Sequence, residues 1–171
     1  MKKAINQRAF PEEMGIEKCL KLAKNDGFEG FKINIDEDGQ ITPNSDEKAI
    51  KKIREFADKL GIVLTSFATK ELFLNILLLI GYPEHWIQIL GQRIRRVHLR
   101  DFRASAGSLQ NYRSAYVSLL EGDVNWPKVI KALKQVGYKG YLIAEPLEPL
   151  VHHPDHLIYQ TSIAMDRILS C

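Results

Sequence analysis

Two polar residues, His98 and Glu145, lie near the carboxyl ends of two strand-like segments. In the segment RIRRVHLRD, a period of two places Arg96 and His98 on one face of a strand. In YLIAE, Ile143 and Glu145 share a face in the same way. The carboxyl ends of parallel strands carry the active site in many α/β folds. Imidazole with carboxylate suits Mn²⁺, Co²⁺ or Zn²⁺, although either residue alone is more often only hydrogen-bonded or solvated.

The elements that must position these residues alternate between strand and helix along the chain. Strands are predicted at 4–6, 31–35, 62–67, 94–100 and 141–145. Helices are predicted to begin at Pro11, Asn44 or Ser45, Pro83, Asn125 and Asp155. This order predicts parallel βαβ units and an α/β fold. The apolar stretch 71–80 fits neither pattern and is open to two interpretations, a further strand or a buried helical turn.

Length and composition predict one globular domain spanning residues 1–171. Hydrophobic residues make up 45% and charged residues 26% of the chain, and the net charge is only +3, which argues against a nucleic-acid partner. Cys19 and Cys171 form no ligand-like pair. We see no signal peptide and no membrane-spanning run, so we expect a cytoplasmic protein.

Three segments resemble the sugar-phosphate isomerase/epimerase family of xylose-isomerase-like TIM barrels, in particular hexulose-6-phosphate isomerase and L-ribulose-5-phosphate 3-epimerase. They are KKAINQRAFPEEM (2–14), GYPEHWIQILGQRIRRVHLRDF (81–102) and LLEGDVNWPKVIKALKQVGYKGYLIAE (119–145). The His-x-Lys-Asp-like motif at 98–101 and the stretch EGDVNWP are the most specific parts. The resemblance covers nearly the whole chain, in two blocks at about 1–70 and 76–169.

The resemblance implies a proton transfer next to a ketose carbonyl at a divalent metal (Mn²⁺, Co²⁺, Mg²⁺ or Zn²⁺), with a sugar or sugar phosphate as ligand. His98 matches the metal-binding histidine, and Glu145 matches a glutamate that binds metal and acts as acid or base. Asp101 matches the aspartate of the motif, with a structural or substrate-orienting role. Arg100 stands where lysine is usual and is, with His85, a candidate substrate contact.

The sequence departs from the family pattern in its middle. We find no match for the second metal glutamate or the metal aspartate, and Lys32 stands where many members have glutamate. A full barrel needs about 250 residues, and the deficit falls between Thr69 and Gly81. Metal is therefore expected to bind weakly or not at all.

The expected architecture is an incomplete (β/α) barrel of about five parallel strands with outer helices. Matched to the eight strands of the family's barrel, the five strands correspond to the first, second, third, seventh and eighth. These strands are neighbours in the closed barrel. The third and seventh then become open edges. Either segment 71–80 covers the gap, or two chains close it as a homodimer. Two functions follow: a retained metal-dependent isomerase or epimerase, or an inactive sugar-phosphate- or metal-binding remnant that self-associates.

Two further patterns suggest weaker candidate sites. His152, His153 and His156 resemble a metal cluster, but they fall where a solvated helix start is predicted. The arginines in 93–103 alternate over both strand faces, so they form no single basic stripe for nucleic acid.

Overall fold

The computed structural model describes residues 1–35, 40–42, 44–68, 82–103, 115–146 and 149–171. The strands are β1 (Lys2–Asn6), β2 (Gly30–Asn34), β3 (Val63–Ala68), β4 (Val97–Leu99), β5 (Asp101–Phe102), β6 (Tyr116–Val117) and β7 (Tyr141–Ala144). The helices are α1 (Ile16–Asn25), α2 (Glu47–Leu60), α3 (Pro83–Leu90), α4 (Trp126–Gln135) and α5 (Pro154–Leu169). Strand and helix alternate through most of the chain, as predicted.

Five strands form one parallel sheet in the order β3-β2-β1-β7-β4. β5 and β6 form a separate antiparallel pair. The order reproduces the predicted ring neighbours, because the first strand lies between the second and the last. The sheet does not close: within the described ranges, β3 and β4 each have one neighbour in this sheet. The predicted fold, an incomplete barrel of five parallel strands with helices around it, is confirmed.

Local sequence signals explain most helix ends. Asp46 caps α2 by accepting a 2.7 Å hydrogen bond from the Ala49 amide. Gly61 ends the helix in the left-handed conformation at φ 64°. Asn125 caps α4 through the Lys128 amide at 3.1 Å, with Pro127 in the first turn.

Three predicted boundaries were wrong. The first helix begins at Ile16 rather than Pro11, because a 3₁₀ turn at Gln7–Ala9 and a further turn occupy the segment before it. The cap of α2 is Asp46, not Asn44 or Ser45. The predicted strand 94–100 is the three-residue β4, preceded by a 3₁₀ turn at Gly91–Arg93. Segment 71–80, the subject of two alternative predictions, lies outside the described residues.

The two faces of the sheet differ in polarity. Toward the helices, the strands present the apolar core residues Ile5, Phe31, Ile33, Leu99, Leu142 and Ala144. Phe31 packs against Phe10 with ring centroids 5.6 Å apart. The opposite face, which would be the inside of a closed barrel, carries buried polar residues toward the carboxyl ends of the strands. The hydrophobic core formed by the described residues therefore lies between sheet and helices.

No helix in the described part of the chain is long and apolar enough to cross a membrane.

Candidate functional site

The register between neighbouring strands places polar residues side by side, at the same level along the strands. Asn6 of β1 pairs with Lys32 of β2, and Lys32 pairs with Ser66 of β3. Ala4 pairs with Ile143, so two residues further along Asn6 lies beside Glu145. The Glu145 amide donates to the Leu99 carbonyl at 3.1 Å, which extends the contact between β7 and β4 past the end of β7. The candidate site is this polar layer.

Glu145 is the centre of the site. Its Oε1 accepts hydrogen bonds from Asn6 Nδ2 at 2.6 Å, His98 Nδ1 at 2.7 Å and Lys32 Nζ at 2.9 Å. Its Oε2 accepts a longer contact from Arg100 Nε at 3.4 Å. Since a carboxylate only accepts, the bond to His98 places the imidazole proton on Nδ1. His98 and Glu145, which the sequence singles out at two strand ends, thus contact each other in the structure.

The electrostatics of the site keep Glu145 ionised. Burial alone would raise its pKa, because a charge is costly away from water. The hydrogen bonds and positive charges of His98 and Lys32 outweigh burial and hold the pKa of Glu145 well below its usual range. The Lys32 side chain is 3% exposed and that of Glu145 is 11% exposed, so this ion pair is largely shielded from solvent. A carboxylate stabilised in this way is a weak base.

Asp101 is bonded to protein groups and does not face the space where a ligand would bind. It is fully buried and accepts hydrogen bonds from three backbone amides, those of Phe102, Leu120 and Val124. The indole of Trp126 donates to it at 3.0 Å. Asp101 therefore holds the loop before α4 against the start of β5. Of its two expected roles, the geometry supports the structural one; a direct substrate contact has no exposed surface to use.

The other predicted residues divide between the site and the surface. Arg100 reaches Glu145, and its guanidinium lies 5.1 Å from the ring centre of Tyr116. His85 lies on the exposed side of α3, where its ring packs edge-on against Tyr82 with centroids 5.6 Å apart. The histidines at 152, 153 and 156 are exposed at the start of α5, in agreement with a solvated helix start.

Sequence reasoning missed Lys32 and Asn6 as site residues. Lys32 was noted only as a departure from the family pattern, yet its ammonium contacts both His98 (3.4 Å) and Glu145. One signal was available: in β2, Lys32 and Asn34 alternate with Phe31 and Ile33. Strands covered on both faces are normally apolar throughout, so inward polar residues in such a strand indicate a functional layer.

The divalent metal implied by the resemblance does not fit these residues. An ion bound by Glu145 and His98 would lie within a few ångströms of the Lys32 ammonium, which contacts both of them. Two unit charges 4 Å apart repel by about 4 kcal/mol at an effective dielectric typical of proteins, and a divalent ion doubles this. Across the described ranges, no three His, Cys, Asp or Glu residues are arranged to hold a metal.

Comparison with solved structures identifies proteins of similar fold. A xylose isomerase-like TIM barrel/4-hydroxyphenylpyruvate dioxygenase fusion protein matches with a TM-score of 0.73 at 14% identity, covering 98% of this chain but 42% of that protein. This chain thus spans about two fifths of that fusion protein's length. The IOLI protein with a zinc atom matches with a TM-score of 0.60 at 11% identity, over 99% and 98% of the two chains. D-psicose 3-epimerase with D-tagatose, from Clostridium cellulolyticum H10, matches with a TM-score of 0.57 at 12% identity, over 100% of both chains.

At these identities the structures show the fold alone. A search among curated proteins finds no match. The family model "xylose isomerase-like TIM barrel" matches residues 73–167, more than half of the chain. The chain belongs to the xylose isomerase-like TIM barrel family.

Proposed function

We propose that this chain binds a small sugar or sugar phosphate at the polar layer around Glu145, without the metal-assisted isomerisation that its family resemblance implies. One observation carries the proposal: Lys32 Nζ lies 2.9 Å from Glu145 Oε1, in a buried ion pair. The ammonium supplies the positive charge beside the carboxylate and histidine, where a divalent ion would otherwise be needed.

The same contact weakens Glu145 as an acid/base group. Removing a proton from carbon next to a carbonyl needs a base whose pKa is near the working pH. The pKa of Glu145 is held far below its usual range by His98 and Lys32 despite the burial of the carboxyl. Such a carboxylate is better suited to orienting hydroxyl and amine groups than to abstracting a proton from carbon.

Sugar binding is supported by the kind of groups present. Asn6, His98 and Arg100 bring amide, imidazole and guanidinium groups to the carboxyl end of the sheet, and Tyr116 supplies a ring beside Arg100. Polar groups converging beside an aromatic ring suit a polyhydroxylated ligand. Arg100 and Lys32 also suit a phosphate ester. D-psicose 3-epimerase, a protein of similar fold, was solved with the sugar D-tagatose.

A second candidate function is that of a metal-dependent isomerase or epimerase, which is the activity that the family resemblance implies. It is favoured by one observation, the 2.7 Å contact between His98 and Glu145 at the strand ends. Isotope exchange distinguishes the two functions, because the proton transfer that the resemblance implies passes the proton next to the carbonyl through a carboxyl group, which exchanges it with solvent.

The test incubates the protein in D₂O with D-tagatose or D-fructose 6-phosphate, with and without Mn²⁺. Proton NMR follows deuterium incorporation next to the carbonyl, and calorimetry follows binding. We expect binding of one of the two sugars with no incorporation above the protein-free control. Mn²⁺-dependent incorporation would establish the second candidate, and absence of binding to both sugars would contradict the proposal.

A further inference from the structure

Among the residues that the structure describes, two buried polar atoms near the site have no hydrogen-bond partner. They are Ser66 Oγ on β3 and Asn34 Oδ1 at the end of β2, in residues that are each 7% exposed. Buried polar side chains are nearly always hydrogen-bonded in folded proteins, because an unpaired one loses its contacts with water without replacement. A pair of such atoms on neighbouring strands needs a specific explanation.

A bulge in β3 directs Ser66 toward the site. Leu64 pairs with Phe31, but the next partner of β2, Lys32, pairs with Ser66 rather than Thr65. Thr65 is therefore the extra residue, and its hydroxyl donates to the Phe31 carbonyl at 3.2 Å. Without the bulge, Ser66 would pair with Ile33 and face the helices. Bulges commonly re-aim a side chain beside a functional site.

Asn34 reaches the same face by the ordinary strand period. It lies two residues beyond Lys32, so both project away from the helical layer. Its backbone amide donates to Gln7 Oε1 at 3.0 Å, which fixes the end of β2. The unpaired atoms thus lie on the face that carries Lys32 and Glu145. Ser66 pairs with Lys32 in the strand register, and Asn34 lies two residues beyond Lys32 on β2.

We propose that Ser66 and Asn34 form a hydroxyl-binding subsite, in which Asn34 Oδ1 accepts from one ligand hydroxyl and Ser66 Oγ bonds to a neighbouring one. The inference rests on the proposed sugar-binding function and deepens it by assigning the two residues that recognise adjacent hydroxyl groups of the ligand. A site built to bond a hydroxyl rejects the deoxy analogue strongly, because its own polar atoms are then left unpaired.

If Ser66 belongs to such a subsite, replacing it should not lower the stability of the ligand-free protein but should weaken ligand binding. Replacing Ser66 by alanine removes an unpaired buried hydroxyl, so the ligand-free protein melts at the same or a higher temperature than the wild type. The same change removes a bond to the ligand, so affinity falls about tenfold. A serine that served only the fold would lower the melting temperature and leave affinity unchanged.

Ser162 is the matched control. It is also a buried serine, 4% exposed, but it accepts from Lys3 Nζ at 2.8 Å and donates to the Asp26 carbonyl near the amino end of the sheet. Ser162→Ala should lower the melting temperature of the ligand-free protein and leave sugar affinity unchanged.

The experiment measures melting temperature by differential scanning calorimetry and affinity by titration with whichever of D-tagatose and D-fructose 6-phosphate the wild type binds. Wild type, Ser66→Ala, Asn34→Ala and Ser162→Ala are compared. The subsite is supported if the first two variants bind about tenfold more weakly and Ser66→Ala melts no lower than wild type. Unchanged affinity in both variants overturns the subsite while leaving the proposed function intact. A wild type that binds neither sugar overturns both.

Discussion

At the scale of single residues, Lys32 determines what the site is able to do. A lysine at this position lies against the same carboxylate oxygen as Asn6 and His98, so three donors converge on one acceptor. The carboxylate is then ionised, fixed in orientation and already neutralised. A divalent ion would have to displace the ammonium before it bound.

Removing the Lys32 charge should therefore admit a metal. We expect Lys32→Gln to bind Mn²⁺ at least tenfold more tightly than the wild type, because repulsion by the ammonium disappears and Glu145 and His98 remain. Isothermal titration calorimetry measures the change. Lys52→Gln, which removes a lysine with a 77% exposed side chain, is the control and should bind Mn²⁺ as the wild type does. Equal affinity in both variants would show that Lys32 does not exclude metal.

Loss of the Glu145 charge should unfold the protein more easily. Glu145→Gln leaves the Lys32 ammonium buried without its counter-charge, which typically costs about 3–5 kcal/mol in the free energy of unfolding. Glu29→Gln breaks an exposed pair with Lys2 (3.7 Å; side chains 55% and 50% exposed) and should cost less than about 1 kcal/mol. Urea unfolding measures both.

The cost of Glu145→Gln should also depend on pH. The pKa of Glu145 is lower in the folded protein than its ordinary value of 4.5, because His98 and Lys32 outweigh the effect of burial. Its charge therefore stabilises the fold fully above pH 4.5, and this stabilisation is lost as the pH falls below it. The difference in unfolding free energy between wild type and variant should be constant above about pH 5 and should shrink as the pH falls from about 5 towards 3. A difference that stayed constant over this fall in pH would show that the ionised carboxylate is not the source.

At the scale of elements, Asp101 joins a strand end to the loop that leads into α4. The resemblance indicated this aspartate without separating its two roles, because a motif gives spacing but not the partners supplied by a distant loop. In the structure those partners come from residues 120–126, about twenty positions further along the chain. Gly122 is part of the same arrangement, since a Cβ there would collide with Asp101 and with the Phe102 carbonyl.

Replacing Asp101 should loosen this loop without unfolding the sheet first. Asp101→Asn keeps one acceptor but sets an amide group against backbone donors, so we expect a loss of about 2–3 kcal/mol in unfolding free energy. Asp58→Asn, at an exposed position on α2, should change it by less than about 0.5 kcal/mol. Urea unfolding measures the loss, and hydrogen exchange at the amides of Leu120 and Val124 locates it. Unchanged exchange at these amides would contradict the role assigned to Asp101.

The elements predicted from the sequence were those with strong local signals. Pro83 and Asn125 marked helix starts because one residue's conformation or side chain defines the boundary. The start of α1 was misplaced because Pro11 is equally compatible with a turn. His98 and Glu145 were found by strand period, but the place of Lys32 depends on register across three strands. Ser66 depends on a bulge that no local pattern shows.

At the scale of the whole molecule, the sheet has two edges where a closed barrel has none. Within the described residues, β3 and β4 form these edges, and Val63 on β3 is 49% exposed. Unpaired strand edges and exposed apolar side chains favour association. The expectation that segment 71–80 covers the gap, within one chain or between two, stays a prediction because that segment lies outside the described residues.

A double substitution tests this expectation. If segment 71–80 covers apolar surface, Leu77→Asp with Leu79→Asp should unfold or aggregate the protein, because each buried apolar side chain contributes about 1.5–3 kcal/mol. Ile89→Asp with Val151→Asp, at positions 61% and 60% exposed, is the matched control and should stay folded. Light scattering and circular dichroism measure mass and folding. A Leu77/Leu79 variant that stays folded with unchanged mass would show that the segment does not close the barrel.

The central place of β1 has a consequence for how the protein is made. Its two neighbours are β2, which follows closely in the chain, and β7, whose pairing brings Asn6 to Glu145 across 139 positions. A ribosome that adds about 5–20 residues per second needs on the order of 10 s to make that interval. During this time β1 and β2 are available, but one edge of β1 waits for a strand not yet synthesised. The nascent half-sheet thus keeps an unpaired strand edge until β7 is synthesised, and such an edge favours wrong strand pairing and slow folding.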